Sequence, residues 1–170
     1  MPSAFAVEPL GAHHDRAAFS CSNGSLDDFL KTRARRENEL RYCATLILVT
    51  AAGSSIIAGY YTLSAHSVTL DGIDATSRKK LPRYPIVPTT LIGRLARDVR
   101  FAKTGAREFL LLDALRRAFH NRTEVGSCAV TVDAIDDAAS AFYTRYGFQC
   151  LADHTNRLYL LMTSIQRLRL

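Results

Sequence analysis

The 170-residue chain has no stretch of about 18 consecutive apolar residues, so no transmembrane helix and no membrane partner are expected. Its opening residues, MPSAFAVEPL, lack a basic segment followed by an apolar one, which is not the pattern of a secretory signal. A cytoplasmic protein is the expectation. Four cysteines, Cys21, Cys43, Cys128 and Cys150, form no CxxC pair and have no neighbouring histidine. Zinc ligation or a redox pair is therefore not expected, and the thiols read as small apolar residues. Internal repeats, low-complexity tracts and interdomain linkers are also missing. With 48% hydrophobic and 22% charged residues, the chain reads as a single domain over residues 1–170. That size buries roughly two-thirds of the unfolded surface.

Charge is present in excess of one sign, with a formal net charge of +6. Arg33, Arg35, Arg36 and Arg41 cluster early; Arg94, Arg97, Arg100 and Lys103 cluster centrally; Arg116, Arg117 and Arg122 follow. A polyanion such as RNA, or an acidic protein segment, fits this distribution. Solvated helix faces fit it equally well. His13, His14 and Asp15 stand in a short helix or loop between Val7 and Phe19. Adjacent side chains on one helix diverge, so no metal is implied.

The apolar pattern gives the element order. From Ser25, a capping residue, Leu26, Phe29, Leu30 and Ala34 share one face while Lys31, Arg35 and Arg36 face away, predicting an amphipathic helix to Leu40. Thr45–Thr50 and Ser55–Ser64 read as strands joined by a short turn, an antiparallel hairpin. Ser67–Leu70 extends the meander. Asp71–Pro88 holds Pro82, Pro85 and Pro88 with Arg78, Lys79 and Lys80, and reads as a surface loop. Cys128–Val132 is a short buried strand. Asp136 and Asp137 open a helix that stops at Gly147. Arg157–Met162 is the last strand, before a polar basic tail. The fold class is α/β, a mixed sheet with helices on both faces.

The chain is organised around Leu91–Leu115, LIGRLARDVRFAKTGAREFLLLDAL. An apolar run, a polar turn and a leucine-rich helix form a strand–turn–helix, which presents backbone N–H groups and a helix dipole to an anion. The turn, AKTGAR, carries one glycine, Gly105, where phosphate loops usually carry two or three.

Five blocks stand in order: FSCSNGSLDDFL, GYYTLSA, GRLARD, GAREFLLLDALRRA and AFYTRYGF, the last an FYxxxGF pattern at Phe142, Tyr143, Gly147 and Phe148. Together they resemble the GNAT acetyltransferase superfamily and, more narrowly, the acetyltransferase toxins of bacterial type II toxin–antitoxin pairs. The resemblance spans about Phe19 to Thr163. It implies a GNAT-like fold: a mostly antiparallel central sheet whose strand at Leu91–Ala96 splays from the parallel strand at Cys128–Val132. It implies acetyl-CoA as co-substrate, its pantetheine arm pairing with the backbone of Leu95, Ala96 and Arg97. The pyrophosphate is implied on Lys103, Thr104, Gly105, Ala106, Arg107 and Glu108. Tyr143 matches the catalytic tyrosine that protonates the departing thiolate. The implied acceptor is the amino group of aminoacyl-tRNA, whose modification blocks translation. Arg94, Arg35 and Arg36 are the candidates for gripping the tRNA. A ribbon–helix–helix antitoxin, a homodimer, and DNA reached only through the antitoxin complete the implied partners.

The six turn positions depart from the family pattern Q/R-x-x-G-x-G/A at Ala102 and Arg107. Arg107 either fills the phosphate pocket or adds a charge-assisted bond to the phosphates. Two other readings therefore stay open: a degenerate GNAT that works as an antitoxin-binding co-repressor, and an acetyltransferase for protein lysines or small amines. No Asp or Glu stands out as a base for the attacking amine.

Overall fold

The computed structural model describes residues 5–152, 154 and 156–170. The first four residues of the N-terminal stretch considered above lie outside the described residues. In chain order the elements are β1 (Ala6–Pro9), α1 (Gly24–Asp28), a π-helical stretch (Phe29–Arg33), α2 (Ala34–Glu39), β2 (Ala44–Val49) and β3 (Ile57–Thr69). A 3-10 turn (Leu70–Gly72), α3 (Ala75–Arg78), β4 (Ile86–Arg97), a second 3-10 turn (Val99–Phe101) and α4 (Ala106–Asn121) follow. The chain ends with β5 (Ala129–Asp133), α5 (Asp137–Arg145), β6 (Gln149–Cys150), β7 (Arg157–Leu161) and α6 (Met162–Arg167). The strands form a seven-stranded sheet in the order β1-β2-β3-β4-β5-β7-β6. The β4–β5 pair is parallel, while β1–β2, β2–β3, β5–β7 and β6–β7 are antiparallel. The mixed α/β sheet expected from the sequence is therefore present. Two compact units make up the chain, Met1–Ser64 with Gly93–Ala114, and Ala65–Ile92 with Leu115–Leu170. Each is described separately.

In the first unit the block Gly59-Tyr60-Tyr61 on β3 fixes one helix to each face of the sheet, because successive strand residues point to opposite sides. The Tyr60 hydroxyl donates to the Leu26 carbonyl of α1 at 2.6 Å. The Tyr61 hydroxyl donates to Asp113 Oδ2 of α4 at 2.6 Å. Both tyrosines are fully buried and Asp113 is nearly so, and buried phenols require such partners. Gly59 is glycine because a Cβ there would lie 2.6 Å from Leu110 Cδ1 and 2.7 Å from the Ala96 carbonyl oxygen.

The N-terminal helix differs from its expected form in two ways. Its cap is Asn23, not Ser25: Asn23 Oδ1 accepts from Leu26 N, and Asp27 Oδ1 reaches back to Cys21 N at 2.8 Å. The helix also widens to π geometry over Phe29–Arg33, where Ala34 N donates to the Phe29 carbonyl five residues back. Widening disturbs the regular ladder, and Arg16 Nη1 donates to the carbonyls of Leu30 and Lys31. Phe29, Leu30 and Ala34 are buried against Phe19, Ile47 and Tyr60.

The segment after β4 is pinned by one carboxylate. Asp98 is fully buried. It accepts from Ser20 N (3.0 Å), Arg100 N (2.8 Å), Arg100 Nε (2.9 Å) and Arg100 Nη2 (3.0 Å). Burial pushes this carboxyl's pKa up, but the Arg100 side chain and the N–H groups of Arg100 and Ser20 outweigh it and hold the group below the usual carboxylate range. Val99 N also donates to the Ser20 carbonyl and Asp98 N to the Ala58 carbonyl, each at 2.9 Å.

In the second unit β4 and β5 pair from Thr89↔Ala129 to Ile92↔Val132, and β4 then continues to Arg97. Beneath the β3–β4 connection lies a cluster of Val68, Ile73, Val87, Ala129, Leu151, Tyr159 and Leu161. Tyr159 on β7 holds the foot of α3. Its hydroxyl donates to Asp74 Oδ2 (2.5 Å), accepts from Asp74 N (3.1 Å) and lies 2.9 Å from the Gln149 side-chain oxygen. Pro88, read as loop, lies within β4, where its carbonyl accepts from Cys128 N. The stretch read as a polar basic tail is occupied largely by helix α6. Met162 and Ile165, three residues apart, are buried on its inner side, a spacing that the surrounding Gln and Arg residues obscure.

Gly59→Ala is expected to lower stability by about 1–3 kcal/mol through overpacking, read as a drop in the urea midpoint with an unchanged slope. Asp98→Asn should cost about 2–3 kcal/mol, because one of its two acceptor oxygens becomes a donor facing other donors. The sign of the pH effect follows from the depressed folded pKa. The stabilisation from Asp98 is complete above the unfolded carboxyl pKa near 4 and is lost as pH falls through the lower folded value. Urea titrations of the two proteins should therefore converge as the pH is lowered into that range.

Candidate active site

The residues expected to hold a nucleotide cofactor form one continuous path in the first unit. Leu95, Ala96 and Arg97 end β4, beyond the last residue paired with β5. Their side chains are only partly exposed or buried, so the backbone is the group this stretch can offer. Arg97 Nε is buried and has no hydrogen-bond partner. A buried donor left unpaired costs about 1–3 kcal/mol, and an acceptor presented by a ligand would remove that cost.

After the Asp98 pin the chain makes a 3-10 turn over Val99–Phe101 and then the turn that launches α4. Lys103 adopts φ 60°, a left-handed conformation unusual for a side-chain-bearing residue, and Gly105 adopts φ 80°. Such geometry in a non-glycine residue costs on the order of 1–3 kcal/mol and needs support from its surroundings. Thr104 supplies part of it: its hydroxyl donates to the Phe101 carbonyl at 2.5 Å, and Ala106 N donates to the Thr104 hydroxyl oxygen at 3.4 Å. A Cβ at Gly105 would meet no atom within 4 Å, so open space adjoins the turn's backbone. Ala106 is buried, whereas Arg107 and Glu108 are half-buried in the first turn of α4. The first N–H groups of an α-helix have no intrahelical partner and carry the positive end of its dipole. An open turn, Lys103 and a helix N-terminus together suit the diphosphate of acetyl-CoA. The donor set fits that group.

Tyr143 belongs to the second unit, and its position is set by the way α5 ends. Asp136 caps the helix start, Oδ1 accepting from Ala139 N at 2.7 Å. At the other end Gly147 N donates to the Thr144 carbonyl and Phe148 N to the Tyr143 carbonyl, with Gly147 at φ 95°. This is a Schellman closure, in which the residue after the left-handed glycine folds back onto the last full turn. Phe148 accordingly packs on Tyr143 with ring centroids 5.5 Å apart, and Phe142 lies 5.3 Å from Tyr143. The FYxxxGF pattern is thus a helix stop that holds a tyrosine ring against two phenylalanines. Tyr143 is 5% exposed.

Among the candidate RNA contacts, Arg94 stacks its guanidinium 3.6 Å above the Phe29 ring, so part of its role is packing against the π-helical stretch. Arg35 forms an exposed pair with Glu39 at 3.0 Å, and Arg36 is exposed on α2. The sequence reading passed over Asp98, although it stands within the quoted block GRLARD. It also passed over the aromatic group formed by Phe5 with Phe101 (6.2 Å) and Phe109 (5.9 Å) beside the turn.

His13 and His14 lie in a loop, not a helix, and their rings stand 4.0 Å apart. Both Nε2 atoms lie against Glu8 Oε1, at 2.8 and 2.7 Å, and Asp15 is not part of the group. Glu8 with His13 and His14 has the spacing of a cation site. Gly11 N donates to His14 Nδ1 at 2.9 Å, however. That bond assigns His14 the Nε2–H tautomer, so Nε2 is a donor to Glu8 and offers no lone pair to a metal. The Gly53 N–H first, then His13, holds the Glu8 carboxyl at about 2.

No family model matches the chain. Individual proteins do. A tRNA-acetylating toxin of Mycobacterium tuberculosis is 30% identical over 154 residues, covering 91% of this chain and 90% of that protein. A toxin TacT of Sinorhizobium fredii is 28% identical over 95% of this chain and 93% of its own length. Among solved structures, AtaT complexed with acetyl-methionyl-tRNAfMet has a TM-score of 0.89 at 26% identity, covering 98% of this chain and 99% of that one. AtaTR bound with acetyl-CoA has a TM-score of 0.84 at 26% identity, covering 98% and 99%. The fold over nearly the whole chain is thus that of a known group, and the chain belongs to the GNAT acetyltransferase toxin family that includes the tRNA-acetylating toxin of Mycobacterium tuberculosis.

Proposed function

We propose that this chain is a cytoplasmic toxin that transfers the acetyl group of acetyl-CoA to the amino group of aminoacyl-tRNA, blocking translation until a ribbon–helix–helix antitoxin neutralises it. The observation that carries this reading is the end-to-end likeness to AtaT complexed with acetyl-methionyl-tRNAfMet. The open turn at Gly105, the left-handed Lys103 and the orphaned Arg97 Nε support it from the chain's own geometry.

In this reading the backbone of Leu95, Ala96 and Arg97 pairs with the pantetheine arm. Lys103, Thr104, Gly105, Ala106, Arg107 and Glu108 receive the pyrophosphate on N–H groups and charge. Bound acetyl-CoA supplies a thioester carbonyl open to attack by a neutral amine. Tyr143 gives its phenolic proton to the departing thiolate, and a phenol restrained by contact with Phe142 and Phe148 does so without first being ordered. Arg94, Arg35 and Arg36 hold tRNA phosphates.

Tyr143→Phe keeps both ring contacts and removes only the proton donor. Turnover with labelled acetyl-CoA and charged tRNA should fall by about 10²-fold or more. Acetyl-CoA affinity by calorimetry should stay within about twofold of the parent, since a positioned acid acts on the transition state rather than on ground-state binding. Label found only on protein lysines or small amines would refute the tRNA acceptor. An absence of acetyl-CoA binding in the parent protein would leave only the antitoxin-binding role.

A further inference from the structure

Between α3 and β4 the chain projects a short segment, Arg78-Lys79-Lys80-Leu81-Pro82-Arg83-Tyr84-Pro85. Residues 75–86 contain four cations and no acidic residue. Arg78 faces Asp71 at 3.6 Å. Lys79, Lys80 and Arg83 are exposed, and among the described residues none has an acidic group within ion-pair distance. Tyr84 stands beside them with 72% of its surface exposed. Exposing a large aromatic ring forgoes the burial that normally favours it.

The segment is mounted rather than loose. Asp74, at its foot, caps α3 through Ser77 N and is held by Tyr159. Hydrogen bonds from Ser77 and then Tyr159 keep the Asp74 carboxyl at about 2. At the other end the Pro85 carbonyl accepts from Leu70 N at 2.9 Å. Leu81 packs on the cluster that contains Val87 and Tyr159, and Pro82 and Pro85 restrict the backbone around Arg83 and Tyr84. The same Tyr159 hydroxyl approaches Gln149, which closely follows the end of α5. The foot of the basic segment and the chain leaving the Tyr143 helix therefore meet on one side chain.

Unpaired cations interleaved with an exposed ring are the chemistry that grips single-stranded nucleic acid. Cations track the phosphates, and the ring stacks on a base whose face a duplex would hide. An acidic peptide would use the cations but leave the tyrosine face without a partner. We infer that the segment Arg78–Tyr84 is a clamp for the unpaired 3′ end of the acceptor tRNA, with Lys79, Lys80 and Arg83 on its phosphates and Tyr84 stacked on a base. This deepens, and rests on, the tRNA reading of the same protein.

The test uses the full-length protein with Lys79→Glu/Lys80→Glu/Arg83→Glu and, separately, Tyr84→Ala. All four side chains are exposed, so unchanged melting and unchanged acetyl-CoA affinity serve as controls. The charge-reversed variant should raise KM for charged tRNA by about tenfold or more and flatten the salt dependence of tRNA binding, by about 0.7 in log–log slope per lost single-strand phosphate contact. Tyr84→Ala should weaken binding of intact tRNA severalfold but leave binding of tRNA trimmed of its unpaired 3′ nucleotides unchanged. KM within twofold of the parent in both variants would overturn the clamp while leaving the tRNA reading intact. So would equal losses on intact and trimmed tRNA for Tyr84→Ala, or a charge-reversed protein that loses only antitoxin binding. If the parent acetylates no charged tRNA, the functional reading itself falls, and that result is distinguishable from the others.

Discussion

Two neighbouring tyrosines on one central strand carry the first unit. Tyr60 and Tyr61 point to opposite sides of β3, and each ends its phenol on a helix, Tyr60 on α1 and Tyr61 on Asp113 of α4. A strand residue chosen only for burial would be Val or Ile. Tyrosine adds a directional bond at the far end of a long side chain, so it fixes both the distance and the rotation of the helix it reaches. The preceding Gly59 completes the constraint. With no side chain, it lets Leu110 of α4 and the Ala96 carbonyl of β4 approach to distances that a Cβ would forbid. Because α4 begins at the turn proposed for the pyrophosphate, this packing also sets where the turn stands.

That turn depends on a second anchor. A strand that runs beyond its parallel partner must send its next residues somewhere, and an unrestrained exit would fray. Asp98 prevents this by collecting four N–H donors from Ser20 and Arg100. The N-terminal cap of α1 begins just after the same Ser20, where Asp27 accepts from Cys21 N. Helix start and loop exit are thereby joined through a few residues of backbone. Lys103 is held in a left-handed conformation in a loop fixed at both ends, which is how a turn retains strain that it would otherwise release.

Much of this was legible in the sequence, and what was not had identifiable causes. The hairpin, the strand–turn–helix and α5 follow from apolar period and from turn residues, and they appear close to their expected bounds. The cap at Asn23 was missed because Ser25 is equally acceptable in the abstract; the choice is made by Asp27, whose reach to Cys21 N requires the helix to start earlier. The π-helical stretch has no composition of its own; two of its carbonyls, Leu30 and Lys31, accept from Arg16, a partner outside the helix. Residues such as Arg94 were legible as charge but not as packing. Its guanidinium lies on Phe29, a contact between segments far apart in the chain. The strand, turn and helix proposed to hold the cofactor were readable as elements because they are local in sequence. Asp98 escaped notice because its partners, Ser20 and Arg100, become meaningful only when two distant segments meet.

The motif blocks divide by physical role, and the division bears on how function is read from such chains. SNGSLDDFL is a helix cap with its core face, and GYY is a pair of helix anchors beside a close approach. Neither is proposed to hold a reacting group. FYxxxGF combines the two roles. Gly147 adopts a conformation that few other residues tolerate, and the closure it permits returns Phe148 onto Tyr143. The spacing is thus what places a tyrosine at this helix end, whether or not the phenol reacts. Its presence argues for a placed hydroxyl. The proposed chemistry needs more than that hydroxyl, because an acid contributes to catalysis only where a leaving group is bound; the orphaned Arg97 Nε and the open backbone at Gly105 are the features proposed to bind it.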